Sequence, residues 1–320
     1  MIVRILTTTA CNATCSYCYE KNMPTIMMTA ETAEQVAAFI EEKATLREDP
    51  VFMEWFGGEP TLNIKAIDTI SRELRQSGVW YTSSMVTNGL LMDDRITEER
   101  LSLWRLKRVQ ITLDGPESSH EAVKGFRHGA YAQILCNIHN LTKAQVRVRL
   151  RINYAGNDIE IVKLIEELGK EFLDEPLISA YINPIYARKK EYPREVMQQV
   201  LKFDHQLIET GLATQKDLFE LSERETRCFM MTEEGFTIAP DGRLFNCSHN
   251  MTDEQCVGSI WNYPDDSPVR KEFLYSAPTE ECQNCEMFAF CKGGCRIAEM
   301  GLAEMIQCHP YKTVFSEIVQ

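Results

Sequence analysis

The sequence predicts an α/β protein: a partial (β/α)6, TIM-like barrel followed by a cysteine-rich C-terminal domain. Three observations carry this reading. Six short runs rich in Val, Ile, Tyr, Phe or Trp recur near 2–7, 51–56, 80–87, 108–113, 146–153 and 177–183, and runs of that length and composition read as strands. Amphipathic stretches of helical period separate them. Eight of the twelve cysteines lie between Cys228 and Cys308, in a segment short of long periodic elements.

The first strand, opening Ile2-Val3-Arg4-Ile5, leads to a helical pattern in which Ala33, Val36, Ala37 and Ile40 share one face, with Thr29 placed as its N-cap. Ile67, Ile70 and Leu74 mark a second face after the strand at 51–56. A third pattern, Ile134, Leu135, Ile138 and Leu141, contains Cys136, which reads as a small packed thiol. The Gly156-Asn157-Asp158 turn opens a fourth, with Val162, Leu164, Ile165 and Leu168. Six β-α units in series imply a parallel sheet with helices outside it, and an active site at the C-terminal ends of the strands. A helix at about 194–211 leads out of the barrel. The domain boundaries that follow are 1–190 for the barrel, 191–224 for a helical linker and 225–320 for the cysteine-rich domain.

The bulk numbers exclude some classes. A net charge of −13 without a Lys/Arg run argues against a nucleic-acid partner. The N-terminus has no basic start followed by a long apolar run, and no stretch of about 18 apolar residues suits a membrane. The expected location is the cytoplasm, where twelve cysteines in a chain of this length read as metal or redox ligands rather than disulfides.

The first cluster is Cys11-x3-Cys15-x2-Cys18, just after the first strand. Three thiolates on one tight loop suit three corners of an iron–sulfur cubane, leaving one iron open as in a catalytic metal site. A zinc loop is the alternative, but structural zinc takes four ligands and nothing nearby offers a fourth. With Tyr17 before the third cysteine, the C-x3-C-x-aromatic-C pattern resembles the signature of radical S-adenosylmethionine (SAM) enzymes. The resemblance implies that the open iron binds the amino and carboxylate groups of SAM, and that reductive cleavage gives methionine and a 5′-deoxyadenosyl radical that abstracts a substrate hydrogen.

Further pieces stand at successive strand ends. Gly57-Gly58-Glu59-Pro60 resembles the family's GGE motif, which implies that this loop receives the SAM ammonium. That is sensible chemistry, since glycine permits close backbone approach and a carboxylate pairs with a cation. Thr87-Asn88-Gly89 and Leu113-Asp114-Gly115-Pro116, the latter followed by His120-Glu121, Arg127 and Gly129, complete the pattern. Asn153 ends the fifth strand, either as a contact to the SAM ribose or as a plain strand-end cap. The cofactor-contact set is thus Tyr17, Gly57, Gly58, Glu59, Pro60, Thr87, Asn88, Asp114 and Asn153.

The C-terminal spacing, Cys228-x13-Gly242-x4-Cys247 then Cys282-x2-Cys285-x5-Cys291-x3-Cys295-x12-Cys308, resembles the SPASM extension of some radical SAM enzymes. It implies two auxiliary clusters, for three [4Fe–4S] clusters in all: Cys228, Cys247 and Cys295 on the first, and Cys282, Cys285, Cys291 and Cys308 on the second. Either the first keeps an open iron, or Cys256 or His249 closes it. Zinc knuckles are the alternative for this segment.

SPASM relatives modify peptides and proteins. The resemblance implies maturation of a ribosomally made peptide by a thioether or carbon–carbon crosslink. The second reading is formylglycine formation as in sulfatase maturases, where an Asp follows the second auxiliary cysteine. Here Ser248 and His249 follow Cys247, which leaves His249 as a candidate base. A carrier of electrons without SAM chemistry is the reading from another class, and a Gly-Gly-Glu loop has no use in it. The resemblance also implies an electron donor such as flavodoxin or ferredoxin. With Cys11 so early in the chain, the leader-binding domain of many relatives is expected to be replaced by a separate leader-peptide-binding protein, by direct recognition, or by a peptide without a leader.

Overall fold

A computed structural model describes residues 1–21, 23–46, 50–185, 191–215, 228, 230–264, 266–301 and 307–318. Six strands, β1 (Ile2–Thr8), β2 (Val51–Gly57), β3 (Tyr81–Thr87), β4 (Leu106–Leu113), β5 (Arg147–Tyr154) and β6 (Ile178–Pro184), pair in parallel and in chain order. β6 does not pair with β1, so the barrel is partial, as the sequence predicts. Each predicted strand lies within two residues of its observed start. Trp80 falls outside, 58% exposed just before β3.

Alternation explains the layering. On one side of the sheet Val3, Ile5, Met53, Trp55, Val109, Ile111, Val148, Leu150 and Ile152 are buried in one apolar core. The helices that cover it are α1 (Ala30–Thr45), α2 (Ile64–Gln76), α3 (Glu98–Trp104), α4 (Glu117–Lys124), α5 (Ala130–Lys143) and α6 (Asp158–Glu171). Thr29 caps α1, its hydroxyl accepting from the Thr32 amide. Ala33, Val36, Ala37 and Ile40 of α1 and Ile67, Ile70 and Leu74 of α2 face this core. In α6, Ile161 is buried where Val162 is only half-buried. Cys136 corrects one expectation: it is exposed on α5. It follows the buried Ile134 by two positions, which on a helix points it away from the core.

α7 (Arg194–Glu209) is the helix predicted to lead out, and it buries Met197, Val200, Phe203, Asp204 and Leu207. Residues 216–224 of the predicted linker, and 225–227 beyond it, lie outside the described residues. The C-terminal segment does more than follow the barrel. β7 (Gly235–Ile238) pairs in parallel with β1, and β8 (Arg243–Phe245) and β9 (Cys256–Ser259) extend the same sheet antiparallel. Asp241-Gly242 turns β7 into β8, a dipeptide suited to a hairpin. Gly242 adopts φ 81°, and a Cβ there would lie 2.4 Å from the Trp261 ring. After α8 (Pro268–Tyr275), the described residues hold four-residue helices at Glu280–Gln283, Phe288–Cys291 and Arg296–Glu299 and a short helical stretch from Pro310 to Ile318. Among the described residues no helix is long and apolar enough to cross a membrane.

Candidate functional site

The Cys11–Cys18 loop springs from the C-terminal end of β1. Cys11 is exposed, and Cys15 and Cys18 are half-buried. The loop is shaped by its own backbone, with Cys18 N bonded to Cys15 O at 3.1 Å. It is fastened outward as well: Thr14 N reaches Lys124 O at the end of α4, 2.8 Å away. Although its surface is exposed, desolvation on the loop side, with the Glu59 carboxylate adding to it, pushes the Cys11 thiol up to about 11.

The Gly57-Gly58-Glu59-Pro60 turn lies directly under this loop. Gly58 N donates to Thr8 O and Glu59 N to Ala10 O, at 3.1 and 2.8 Å. A Cβ on Gly58 would stand 2.3 Å from Ala10 O, so the close approach requires glycine. The Glu59 carboxylate is fully buried. Its Oε1 accepts from Thr61 N (3.1 Å), Thr61 Oγ1 (2.6 Å) and Thr87 Oγ1 (2.7 Å), and its Oε2 from Asn88 N (2.8 Å). Burial raises its pKa despite these donors. Acceptor capacity remains on Oε2. Pro60 O takes the Thr7 hydroxyl at 3.2 Å, and the Asn88 amide donates to Asn12 Oδ1 at 2.7 Å.

On the other side, Asp114 gathers the ends of β4 and β5 and the cysteine loop. Its Oδ2 accepts from Tyr17 Oη and lies 3.0 Å from Lys124 Nζ, and its Oδ1 accepts from Asn153 Nδ2 at 2.7 Å. Burial alone would raise this carboxyl, but Lys124 and the hydrogen bonds hold it below its ordinary value. His120 is fully buried, its Nδ1 accepts from Asp114 N at 3.2 Å, and burial lowers its pKa to about 4. Glu121 caps α5 by accepting from Tyr131 N. Arg127 is exposed.

Cys228, Cys247, Cys291, Cys295 and Cys308 line one cavity of about 630 Å3 together with Arg149, Tyr181 and Asn183 of the barrel. Burial pushes Cys247 up to about 11. Cys256 is not in that lining; its thiol donates to Gly258 O at 3.2 Å. Cys282, Cys285, Cys291 and Cys308 surround a second, smaller cavity with Met287 and His309. Among the described residues no three cysteine sulfurs lie within 4.8 Å of one another. A single tetrahedral zinc, with Zn–S of about 2.3 Å, would bring neighbouring sulfurs to about 3.8 Å.

His249 is not a free solvent-facing base. Its ring stacks on Tyr19, centroids 4.2 Å apart, and burial lowers its pKa to about 4. Ser248 Oγ accepts from Arg4 of β1 at 2.8 Å. Lys124, Asn12 and the Arg4–Ser248 contact escaped the sequence reading. For Lys124, which the structure buries to 3% exposure, the one signal in the sequence was its place four residues after His120, on the same helical face.

The radical SAM superfamily matches residues 5–174. A serine-type anaerobic sulfatase-maturating enzyme of Klebsiella aerogenes is 23% identical, over 97% of this chain and 83% of its own length. The cysteine-type enzyme of Clostridium perfringens is 22% identical, over 95% of this chain and 92% of its own. The solved structure of native anSMEcpe with bound AdoMet and Kp18Cys peptide superposes with a TM-score of 0.71 at 17% identity, covering 100% of this chain and 98% of that one, a likeness of fold. The match thus spans more than half of the chain and contains the cysteine loop, the GGE turn and the Asp114 network: this chain belongs to the radical SAM superfamily, enzymes that work with S-adenosylmethionine and a [4Fe–4S] cluster.

Proposed function

We propose that this enzyme removes a hydrogen atom from a peptide and thereby matures a ribosomally made peptide, through a crosslink formed as a thioether or carbon–carbon bond. The observation that carries the reading is the 630 Å3 cavity, where the inner wall of the barrel and Cys228, Cys247 and Cys295 face one space. Relatives that match nearly the whole chain are sulfatase-maturating enzymes, and the similar fold of anSMEcpe has been solved with a peptide.

Cys11, Cys15 and Cys18 hold the catalytic cluster. The donor set fits it: three thiols on one loop, beside a glycine turn and a carboxylate with spare acceptor capacity. When bound, the cluster and SAM supply the radical that takes the hydrogen. Gly57, Gly58 and Glu59 receive the SAM ammonium, with Pro60 fixing the turn, and Thr87 and Asn88 hold the Glu59 carboxylate in place. Asp114 and Asn153 face the rest of SAM, and Tyr17 and Lys124 keep Asp114 ionised and oriented. Cys282, Cys285, Cys291 and Cys308 hold a complete auxiliary cluster. Cys228, Cys247 and Cys295 would hold another, and Cys256, whose thiol is turned to Gly258 O of its own strand, would not complete it. The division into barrel, helical linker and cysteine-rich region belongs to the same reading, as do a reducing partner of the flavodoxin or ferredoxin kind and a separate leader-binding protein.

Formylglycine formation is the second reading, and the sulfatase-maturase relatives favour it. Against it, Ser248 and His249 occupy the positions where that reading needs an acid, and His249 is stacked and weakly basic. The test is the reconstituted, reduced enzyme with SAM and candidate peptides. A mass loss of two in the peptide with no aldehyde formed, matched by 5′-deoxyadenosine, supports crosslinking; an aldehyde in a Cys- or Ser-containing sulfatase peptide supports the second reading. Iron and sulfide near 12 per chain, three four-iron clusters, supports the cluster count, and about 4 overturns it.

A further inference from the structure

The inner face of the sheet has a charge at odds with the rest of the chain. The net charge is −13, yet the strand positions turned away from the helices hold Arg4, Arg108, Arg149 and Arg151 against one carboxylate, Glu54. Arg4 is satisfied, by Glu54 at 2.5 Å and Ser248 at 2.8 Å. The other three have no salt-bridge partner among the described residues.

These three converge on Tyr181. Arg149 lies over its ring, 4.4 Å from the centroid, and Arg151 is its register partner. The Tyr181 hydroxyl donates to Gln110 Oε1 at 3.1 Å, one face position along β4 from Arg108. Burial raises the Tyr181 hydroxyl pKa, while Arg151, Arg149 and Arg108 all act to lower it. Arg151 is partly engaged: its Nε donates to Asn153 Oδ1 at 3.1 Å, and Asn153 is bonded to Asp114. It belongs to the cofactor end. Arg149 sits deeper in β5, half-buried, on the wall of the cavity that Cys247 and Cys295 also line. Stacking on Tyr181 leaves its guanidinium edge, with its fork of N–H donors, available.

With no carboxylate paired to it among the described residues, this half-buried guanidinium is well shaped for one brought by a ligand. We propose that the cavity selects its peptide by a carboxylate seated on Arg149, with Arg108 strengthening the field, so that the substrate is acidic where it meets this wall. The inference rests on the peptide reading above and adds the substrate's charge to it.

The test immobilises the SAM-loaded holoenzyme and offers it randomised nonapeptides, made once as free acids and once as C-terminal amides; retained peptides are sequenced by mass spectrometry. The expected result is enrichment in Asp and Glu of about tenfold, the worth of one charged hydrogen bond. Arg149→Gln abolishes it and Arg149→Lys keeps part of it. Internal Asp or Glu in both pools identifies a side-chain carboxylate, and enrichment of the free-acid pool alone identifies a chain terminus; either supports the proposal. Charge-blind retention, or enrichment in Lys and Arg, overturns it while leaving the peptide reading intact. So does enrichment that survives Arg149→Gln. Retention of no peptide at all overturns both.

Discussion

The two cysteine-bearing regions are held in opposite ways. The loop of Cys11, Cys15 and Cys18 is tied by Thr14 to Lys124, by Tyr17 to Asp114 and by Asn12 to Asn88, and it stands on six strands with a continuous core. The segment from Cys282 to Cys308 has four-residue helices and few buried apolar side chains, Met287, Cys291 and Ile297 among them. Helices that short are not stable by themselves. The first region is a finished socket for its metal. In the second, the auxiliary clusters proposed above would be part of what the chain folds around.

The largest test of that contrast is metal removal. Chelation under reducing conditions, followed by hydrogen exchange, should strip protection from about 280–312 while the amides of β1–β6 stay protected. Equal loss in both regions, or none in the second, would break the comparison. Next is Asp114→Asn, which leaves Lys124 buried without its anion and should destabilise the fold by about 3–5 kcal/mol. Denaturant titration reads this directly; a loss below 1 kcal/mol would mean the network is not what holds the loop.

Asp204 sharpens the comparison from the seam between the regions. Tyr311, on the C-terminal side, donates to it at 2.9 Å, and burial raises its pKa from 3.8 to about 7. A raised folded pKa means that the folded state binds the proton more tightly. The stabilisation is complete below about pH 4 and is lost as pH climbs through about 7. Stability should therefore fall by a few kcal/mol between pH 4 and pH 8, and Asp204→Asn should flatten that slope in melts taken across the range. Smallest is Cys256→Ala, expected to leave iron content and cluster spectra unchanged; loss of one cluster would make Cys256 the missing ligand.

Period explains what was legible. Short runs rich in β-branched and aromatic residues placed β1–β6, and a period near 3.6 placed the buried faces of α1 and α2, because those signals are local. Thr29 was readable as a cap for the same reason. The cysteine sets and the GGE turn were legible as spacing. Cys136 was misread because an apolar neighbourhood in sequence need not be one face of a helix. The Tyr17–Asp114–Lys124 cluster joins residues up to 107 apart, and no window on the sequence contains it. Nor does any window contain the arginine face, which exists only once β4, β5 and β6 lie in register. The pairing of β7 with β1 was equally out of reach, since a four-residue strand carries almost no periodicity.

That last pairing sets a clock for the chain as it is made. Ile2 lies opposite Gly235, and a strand edge left open is a place where other chains attach. At about 5–20 residues per second on the ribosome, β1 is finished some 10–50 seconds before its second neighbour emerges. For that interval the nascent barrel has β2 on one side and nothing on the other. The cysteine-rich segment, proposed above to hold the auxiliary clusters, is also the piece that seals this edge.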